Sequence, residues 1–315
     1  TRRSPPLPQG SAMVVSLGLG VAVSVVLGYL SLRKRALTPD GVAASFLVAL
    51  AASLTGPQSL LYLIAFFVSS SAFTMLGYRI KELRGAAERK EGRNWRQVAG
   101  AGGVGGVLFL ASFLALCSGL CKLSEYLLLS ALAVFSTSTA DTWAAEIGSL
   151  SKNEPRLITR PWVKVSPGTS GGVTVLGELA SASGAAFMGL VATLMAKSGI
   201  DNHVLKAVSP LISSGSAQEA SYPWSLITAE PWKVFLFIFF FGWLGEVVDS
   251  LVGATLQAKY FCPRCRTLTD KEVHVCGERA RFNCGFKFIG NETTNIIATL
   301  AVAVLSLLAL LALEI

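Results

Sequence analysis

The sequence predicts an all-α fold, a polytopic membrane bundle of about eight spanning helices with a small cysteine-rich loop at one end. Three observations predict it. Hydrophobic residues make up 52% of the chain, charged residues only 15%, and the mean hydropathy is +0.57, which is the composition of an integral membrane protein. Apolar runs approaching the 20 or so residues that cross a bilayer recur at roughly 12–32, 40–55, 58–77, 98–120, 123–140, 171–196, 232–253 and 293–313. The cations are also unequally shared. Of 27 Lys and Arg, 21 fall in the segments 33–35, 79–97, 141–170 and 256–291, which an eight-span path puts on one face. This is the positive-inside pattern, so those loops face the cytoplasm or its organellar equivalent and both termini face the other side. The net charge of +8 thus expresses topology and phosphate chemistry, and nucleic acid is not an expected partner.

In chain order, residues 1–11 form an N-terminal tail, and 12–315 form a single transmembrane domain that contains the cysteine-rich loop 256–291. The tail TRRSPPLPQGS carries Arg, Ser and Pro, and no acid appears before Asp40. That composition suits the end of a cleaved organellar transit peptide or, equally, a frayed terminus. The run 12–32 is too long for a secretory signal core and reads as a span. Arg33-Lys34-Arg35 stops it. Thr38 and Asp40 then cap a helix with Pro39 at an early position. The second run is short and breaks at Thr55-Gly56-Pro57, so a seven-span path without it is the alternative.

The segment 79–97 reads as a solvated helix of Glu, Lys and Arg pairs ending in Gly92-Arg93-Asn94-Trp95-Arg96-Gln97. Trp95 suits the headgroup interface. Arg93, Asn94, Arg96 and Gln97 either hold a phosphate or only anchor the chain there. Gly100-Ala-Gly-Gly-Val-Gly105 matches the dinucleotide fingerprint G-x-G-x-x-G in form alone. It opens an apolar run with no strand before it, so close helix packing explains the glycines.

The most chemically loaded stretch is Ser136–Gly172, STSTADTWAAEIGSLSKNEPRLITRPWVKVSPGTSGG. Asp141 and Glu146 stand near the end of an apolar run. Lys152, Arg156, Arg160 and Lys164 follow, and the stretch closes on Pro167-Gly168-Thr169-Ser170-Gly171-Gly172. Such groups are expensive in hydrocarbon, so their presence points to use, and the mixture of carboxylates, cations and exposable backbone points to phosphate. The span from 171 begins with small residues. The segment 197–231 shows no motif, and His203 within it reads as a surface residue.

In the seventh run, Glu246 and Asp249 lie three apart on one helix face, which implies a buried pair with cations or a metal site. Cys262-Pro-Arg-Cys265, Cys276 and Cys284 then suit a tetrahedral zinc site, with His274 able to replace one thiol; a redox pair, disfavoured on the usually reducing face, and cysteines with no shared role are the alternatives. Cys117 and Cys121 read as packing residues. Asn291-Glu-Thr-Thr-Asn295 opens the last run. It also matches a glycosylation sequon, but on the face where none is added. Asn291 and Asn295, one turn apart, are polar ligands or simple caps.

Taken in order from about Leu37 to about Thr299, these motifs resemble the transmembrane protein nineteen family, which includes the plastid phytyl-phosphate kinase of tocopherol synthesis. The residues that carry the resemblance are Gly92-Arg93-Asn94-x-x-Gln97-Val98, Asp141-Thr-Trp-Ala-Ala-Glu146-Ile-Gly148, Pro155-Arg156-Leu-Ile158 and Pro167-Gly168-Thr-Ser-Gly171-Gly172-Val-Thr174. To these add Asp249-Ser-x-x-Gly253-Ala254-Thr-x-Gln257 and Asn291 to Asn295. The run around Asp141 is similar to plant and cyanobacterial members, and the cysteine-rich loop to prokaryotic ones. Gly290-Asn291-Glu292 departs from the family's usual Asp-Asn-Asp or Asp-Asn-Asn.

The resemblance implies transfer of a phosphoryl group from CTP or another nucleoside triphosphate to phytyl phosphate or a related isoprenyl monophosphate. It implies Mg²⁺ as cofactor, with Asp141, Glu146, Glu246 and Asp249 as ligands. Asp141, Glu146, Asp249, Arg156 and Lys164 form the expected catalytic set. Arg93, Asn94, Gln97, Gly168, Thr169, Ser170, Gly171, Gly172, Asn291 and Asn295 form the expected phosphate site, the glycine-rich turn presenting N–H groups at a helix N-terminus. Cys262, Cys265, Cys276 and Cys284 are the expected ligands of a structural zinc. A plastid membrane in a photosynthetic eukaryote, or otherwise a plasma membrane, is the expected location. Two readings from other classes compete: an ion-coupled transporter, which predicts internal repeats, and a non-catalytic scaffold indifferent to carboxylate loss.

Overall fold

A computed structural model describes residues 10–88, 90–198, 200, 224 and 230–313. His203, Arg2 and Arg3 lie outside the described residues. Among the described residues ten helices follow in order: α1 (Gly10–Arg33), α2 (Pro39–Leu54), α3 (Pro57–Met75), α4 (Tyr78–Leu83), α5 (Trp95–Val98), α6 (Val104–Cys117), α7 (Cys121–Gly148), α8 (Val175–Ser198), α9 (Pro231–Thr255) and α10 (Asn291–Leu313). A π turn, Ala99–Gly103, joins α5 to α6, so that 95–117 is one continuous span. Two three-stranded sheets sit in the loops. One has order β2-β1-β3, from β1 (Arg156–Leu157), β2 (Arg160–Lys164) and β3 (Gly172–Val173). The other has order β5-β4-β6, from β4 (Lys259–Cys262), β5 (Thr267–Thr269) and β6 (Arg281–Cys284).

Among the described residues seven helices are long and apolar enough to cross a membrane, and α2, with 16 residues, is not among them. The count of eight expected from the sequence is reconciled by the path of the chain. Arg93 N donates to Ala36 O (3.0 Å) and Thr38 N to Arg93 O (3.0 Å), which stitches the entry of α2 to the segment after α3. The hairpin α2–α3 therefore leaves and returns to one end, with only Thr55 and Gly56 at its tip. If α3 crosses, α2 crosses with it, covering about 24 Å at 1.5 Å per residue. The capping of α2 follows the sequence: Thr38 Oγ1 accepts from Gly41 N. Asp40 does something more, accepting from Trp95 N at 3.1 Å and so tying the start of α5 to α2.

The centre of the bundle is α7. Every residue from Leu128 to Ala140 is buried, because α6, α8, α9, α10 and α3 surround it. A helix enclosed on all sides cannot be amphipathic, which is why this run is apolar around its circumference and then turns to small hydroxyl residues. The hydroxyls of Thr137, Ser138 and Thr139 return to backbone carbonyls, as with Thr139 Oγ1 to Phe135 O at 2.8 Å, so they cost little in an apolar setting, whereas Ser136 Oγ is buried without a hydrogen-bond partner among the described residues. They also permit close approach. A Cβ on Gly242 or Gly245 of α9 would collide with Ser136 or Thr137. The apparent nucleotide fingerprint is packing of the same kind: no strand precedes it, and Gly105 lies against the Phe135 ring. Cys117 and Cys121 bracket the α6–α7 turn rather than packing in one helix, and Cys117 is exposed.

The loops predicted to share a face do meet at one end of the bundle. Arg84 Nη1 donates to Ser149 O (2.8 Å) and Ser151 O (2.6 Å), Lys271 Nζ to Gly85 O (2.5 Å), and Ser166 N to Leu268 O (2.9 Å). Their cations are thus partly spent on carbonyls of neighbouring loops.

Candidate functional site

At that end, α7 and α9 diverge around a polar cavity of about 180 Å³, room for about six waters at their share of liquid volume. Asp141, Glu146, Glu246 and Asp249 line it. So do Glu178, Arg93, Gln97, residues 168–172, Asn291 and Asn295. Most of the site residues expected from the sequence are therefore brought together. How they are used differs from one to the next.

Glu246 (3% exposed) and Asp249 (6%) project from one face of α9, as their spacing predicted. Glu246 accepts from Ser181 Oγ (3.2 Å) and Ser250 Oγ (2.9 Å). Asp249 Oδ1 accepts from the Asn295 amide at 3.1 Å, the same amide donating to Asn291 O at 3.0 Å. Asp141 faces them from α7. Among the described residues none of these three has a Lys or Arg within the 4.0 Å of an ion pair. Glu146 requires a correction. Expected to share an ion with Asp141, it instead binds Lys81, fully buried, at 2.5 Å. Five residues apart, Asp141 and Glu146 stand about 140° apart around the helix, so they do not converge from adjacent positions. Lys81 also donates to Phe73 O (2.8 Å) and Thr74 O (2.7 Å), closing the end of α3. It passed in the sequence as one charge among many in a polar loop.

Arg93 stands at the cavity wall, with Glu88 Oε1 3.4 Å from its Nε and Thr74 Oγ1 3.2 Å from its Nη2. Gln97 Nε2 donates to the same Glu88. Asn94 is a cap rather than a phosphate ligand. Its Oδ1 accepts from Arg96 N and Gln97 N while Gln97 Oε1 accepts from Asn94 N, a full capping box. Arg156 and Lys164 are also corrected. The β1–β2 hairpin turns them outward, where Arg156 Nη1 donates to Pro161 O and Lys164, 60% exposed, pairs with Glu154. With Lys152 they rim an open groove that meets the carboxylate cavity at Val173, Thr174 and Glu178.

The turn 167–172 enters the cavity, but not at a helix N-terminus, since α8 begins at Val175. Gly168 (φ +76°) and Gly171 (φ +73°) hold it in left-handed conformations. A Cβ on Gly171 would also strike Ala254 N and Ser250 O on α9, so only glycine fits. The N–H of Ser170 is not free for a ligand. It donates to Asp270 Oδ2 (2.6 Å) while Lys259 Nζ donates to Ser170 O (2.7 Å) and to Asp270 Oδ1 (2.6 Å). Burial pushes the Asp270 carboxyl up and Lys259 draws it back. No spacing rule singles out Lys259 and Asp270, because they meet Ser170 only after the loop folds back.

In the cysteine-rich lobe, ligand atoms of Cys262, Cys265, His274 and Cys276 all lie within 4.8 Å of one another. Cys284 is not with them. It stands exposed on β6, in register with Lys259 of β4, so His274 takes the place expected for it. The hydrogen bond from His274 holds the Cys276 thiol down, to about 6, and the hydrogen bond with Cys276 pushes the Cys265 thiol up, to about 11.

Across residues 22–303 the chain matches the family model described as "Integral membrane protein DUF92". Protein PGR of Arabidopsis thaliana is 28% identical over 298 residues, covering 92% of this chain and 94% of that protein. An uncharacterized membrane protein of Synechocystis, sll0875, is 31% identical over 61% of this chain and 75% of its own length. Protein VTE6, chloroplastic, of Arabidopsis thaliana is 31% identical over 49% of this chain and 46% of that protein. No solved structure matches.

Proposed function

The chain belongs to the integral membrane protein DUF92 family, and from that premise we propose that it is a membrane-bound isoprenyl-phosphate kinase. Its reaction would move a phosphoryl group from CTP or another nucleoside triphosphate to phytyl phosphate or a related isoprenyl monophosphate. One observation carries the reading. The carboxylate cavity abuts a second cavity, of about 130 Å³, and the two share Arg93, Gln97 and Ala101. The second is apolar, walled by Leu27, Phe46, Leu63, Phe67 and Phe135. An apolar chain ending in a dianionic head has that shape, with Arg93 where the head would sit. The resemblance to the plastid phytyl-phosphate kinase supplies the substrate class. The chloroplastic relative supports a plastid membrane, a plasma membrane being the counterpart outside plastids.

The residues fit Mg²⁺, since the buried Glu246 and Asp249 and the half-buried Asp141, with no lysine or arginine at ion-pair distance among the described residues, offer the hard oxygen donors that ion prefers. Asp141, Glu246 and Asp249 would hold it, and when bound it would neutralise the charge of two mutually repelling phosphates. Arg93 would orient the acceptor phosphate. An oxygen of that phosphate forms the new bond to the γ-phosphorus as the bond to the bridging oxygen breaks, releasing the nucleoside diphosphate, so no side-chain nucleophile is needed. Asn295 keeps Asp249 turned toward the cavity, and the groove of Lys152, Arg156 and Lys164 would receive the nucleotide from the aqueous side.

Detergent-purified protein should form isoprenyl diphosphate from at least one pairing of phytyl, geranylgeranyl or farnesyl monophosphate with CTP or ATP in the presence of Mg²⁺. Absence of product from every pairing would sink the reading.

A further inference from the structure

The lobe that holds the turn 167–172 in place is itself built around four soft ligands. Cys262 ends β4 and Cys265 lies on the turn after it, and His274 and Cys276 lie on the turn facing it. Each turn closes through a residue in the left-handed region. Arg266 N donates to Cys262 O (2.9 Å) and Gly277 N to His274 O (2.9 Å), and both Arg266 (φ +54°) and Gly277 (φ +83°) are left-handed. Cys265 N points at Cys262 Sγ (3.5 Å). Cys262 Sγ stands 3.7 Å from Cys276 Sγ, where two sulfurs about 2.3 Å from one tetrahedral centre would be about 3.8 Å apart. His274 presents Nδ1 to this cluster, 3.2 Å from Cys276 Sγ, and its other nitrogen, Nε2, lies 3.0 Å from Ser166 Oγ. Metal-binding histidines are oriented by such a bond on the second nitrogen.

We propose that Cys262, Cys265, His274 and Cys276 bind one structural zinc ion, and that His274 Nε2–H, donating to Ser166, ties that ion to the turn 167–172. Three thiolates and an imidazole in tetrahedral array select zinc over hard cations. Ser166 begins the turn: its carbonyl accepts from Thr169 N (3.1 Å) and its own N–H reaches Leu268 O of β5 (2.9 Å). With Lys259 and Asp270 gripping the Ser170 peptide, the lobe fixes the turn against α9 at Gly171. The metal site stands on its own geometry. Only the role of the held turn in phosphate binding rests on the function proposed above.

The test uses full-length protein purified under reducing conditions and reads elemental zinc and amide hydrogen exchange, neither of which requires substrate or turnover. About one zinc per chain is expected, by the four-ligand geometry. Cys262→Ser and His274→Ala should lose it, whereas Cys284→Ser should keep it. Ser166→Ala should retain zinc as purified but release it to a competing chelator at about tenfold lower concentration. Exchange at the Thr169 and Ser170 amides should rise about tenfold in that variant. Should the ligand variants fail to fold, stripping zinc from wild type with chelator must raise the same exchange, and zinc alone must restore it. A metal-free protein of unchanged stability, zinc loss from Cys284→Ser, or unaltered exchange in Ser166→Ala and in stripped wild type would overturn the proposal. Because no arm measures phosphoryl transfer, a failed kinase assay would leave this outcome intact.

Discussion

Glu146 and Asp270, at the walls of the polar end, each meet a lysine withdrawn from water, Lys81 at 2.5 Å and Lys259 at 2.6 Å. Glu246 and Asp249 on α9 meet hydroxyls and an amide, and among the described residues neither they nor Asp141 on α7 has a lysine or arginine at ion-pair distance. The two groups are alike in chemistry and differ in what the fold has done with their charge. A buried carboxylate whose cation is built in has its structural task complete. Three neighbouring carboxylates without one are costly to keep, and the cost is offset when a mobile cation arrives. The difference separates wall from site more sharply than the residue types do.

The largest effect is expected at Lys81. Lys81→Met leaves Glu146 buried and unpaired and should destabilise the protein by about 3–5 kcal/mol. Thermal unfolding in detergent would register this, and Lys81→Met/Glu146→Met should recover most of the loss. A single variant as stable as wild type would mean that this pair is not structural.

The cavity acids should behave in the opposite sense. Asp141→Asn or Asp249→Asn should cut isoprenyl diphosphate formation at least about a hundredfold, about 2.7 kcal/mol of barrier at 1.36 kcal/mol per tenfold. Stability should be unchanged or raised, since each removes a charge without an ion-pair partner, half-buried at Asp141 and buried at Asp249, while keeping volume. Wild-type turnover in both, with matched elution profiles, would make these carboxylates structural and the mechanism wrong.

Between wall and site lies the junction with the apolar cavity. Leu63→Trp should fill space there and lower kcat/KM for the longest isoprenyl chain about tenfold relative to the shortest, within the 1–3 kcal/mol that a pocket methylene commands. Equal loss for all chain lengths would place the chain elsewhere. The smallest effect is expected at Lys164→Ala. Exposed and paired with Glu154, it should raise the KM for nucleotide no more than about threefold and leave kcat unchanged, as the removal of a solvent-screened contact does. A fall in kcat of a hundredfold would return Lys164 to the catalytic centre.

What the chain determines by itself is whatever depends on local composition. The spans are legible because an apolar run of bilayer length has few alternatives. Asp141, Glu246 and Asp249 are legible because a charge within such a run must be explained, and the cysteines because a C-x-x-C arm is a local turn. The tertiary structure decided which partner each group meets. Lys81 is one of several cations between 79 and 97, and only the fold of α4 beneath α7 gives it to Glu146. Arg156 and Lys164 looked as apt as Arg93 until the β1–β2 hairpin turned them outward. Cys284 and His274 are both near enough in sequence to complete a tetrahedron, and the register of β6 against β4 removed the first and left the second. Composition sets the transfer cost of a residue, which is a property of the residue and its immediate neighbours. Pairing and ligation depend on distances of a few ångströms between segments far apart in the chain, and those distances exist only once the helices have packed.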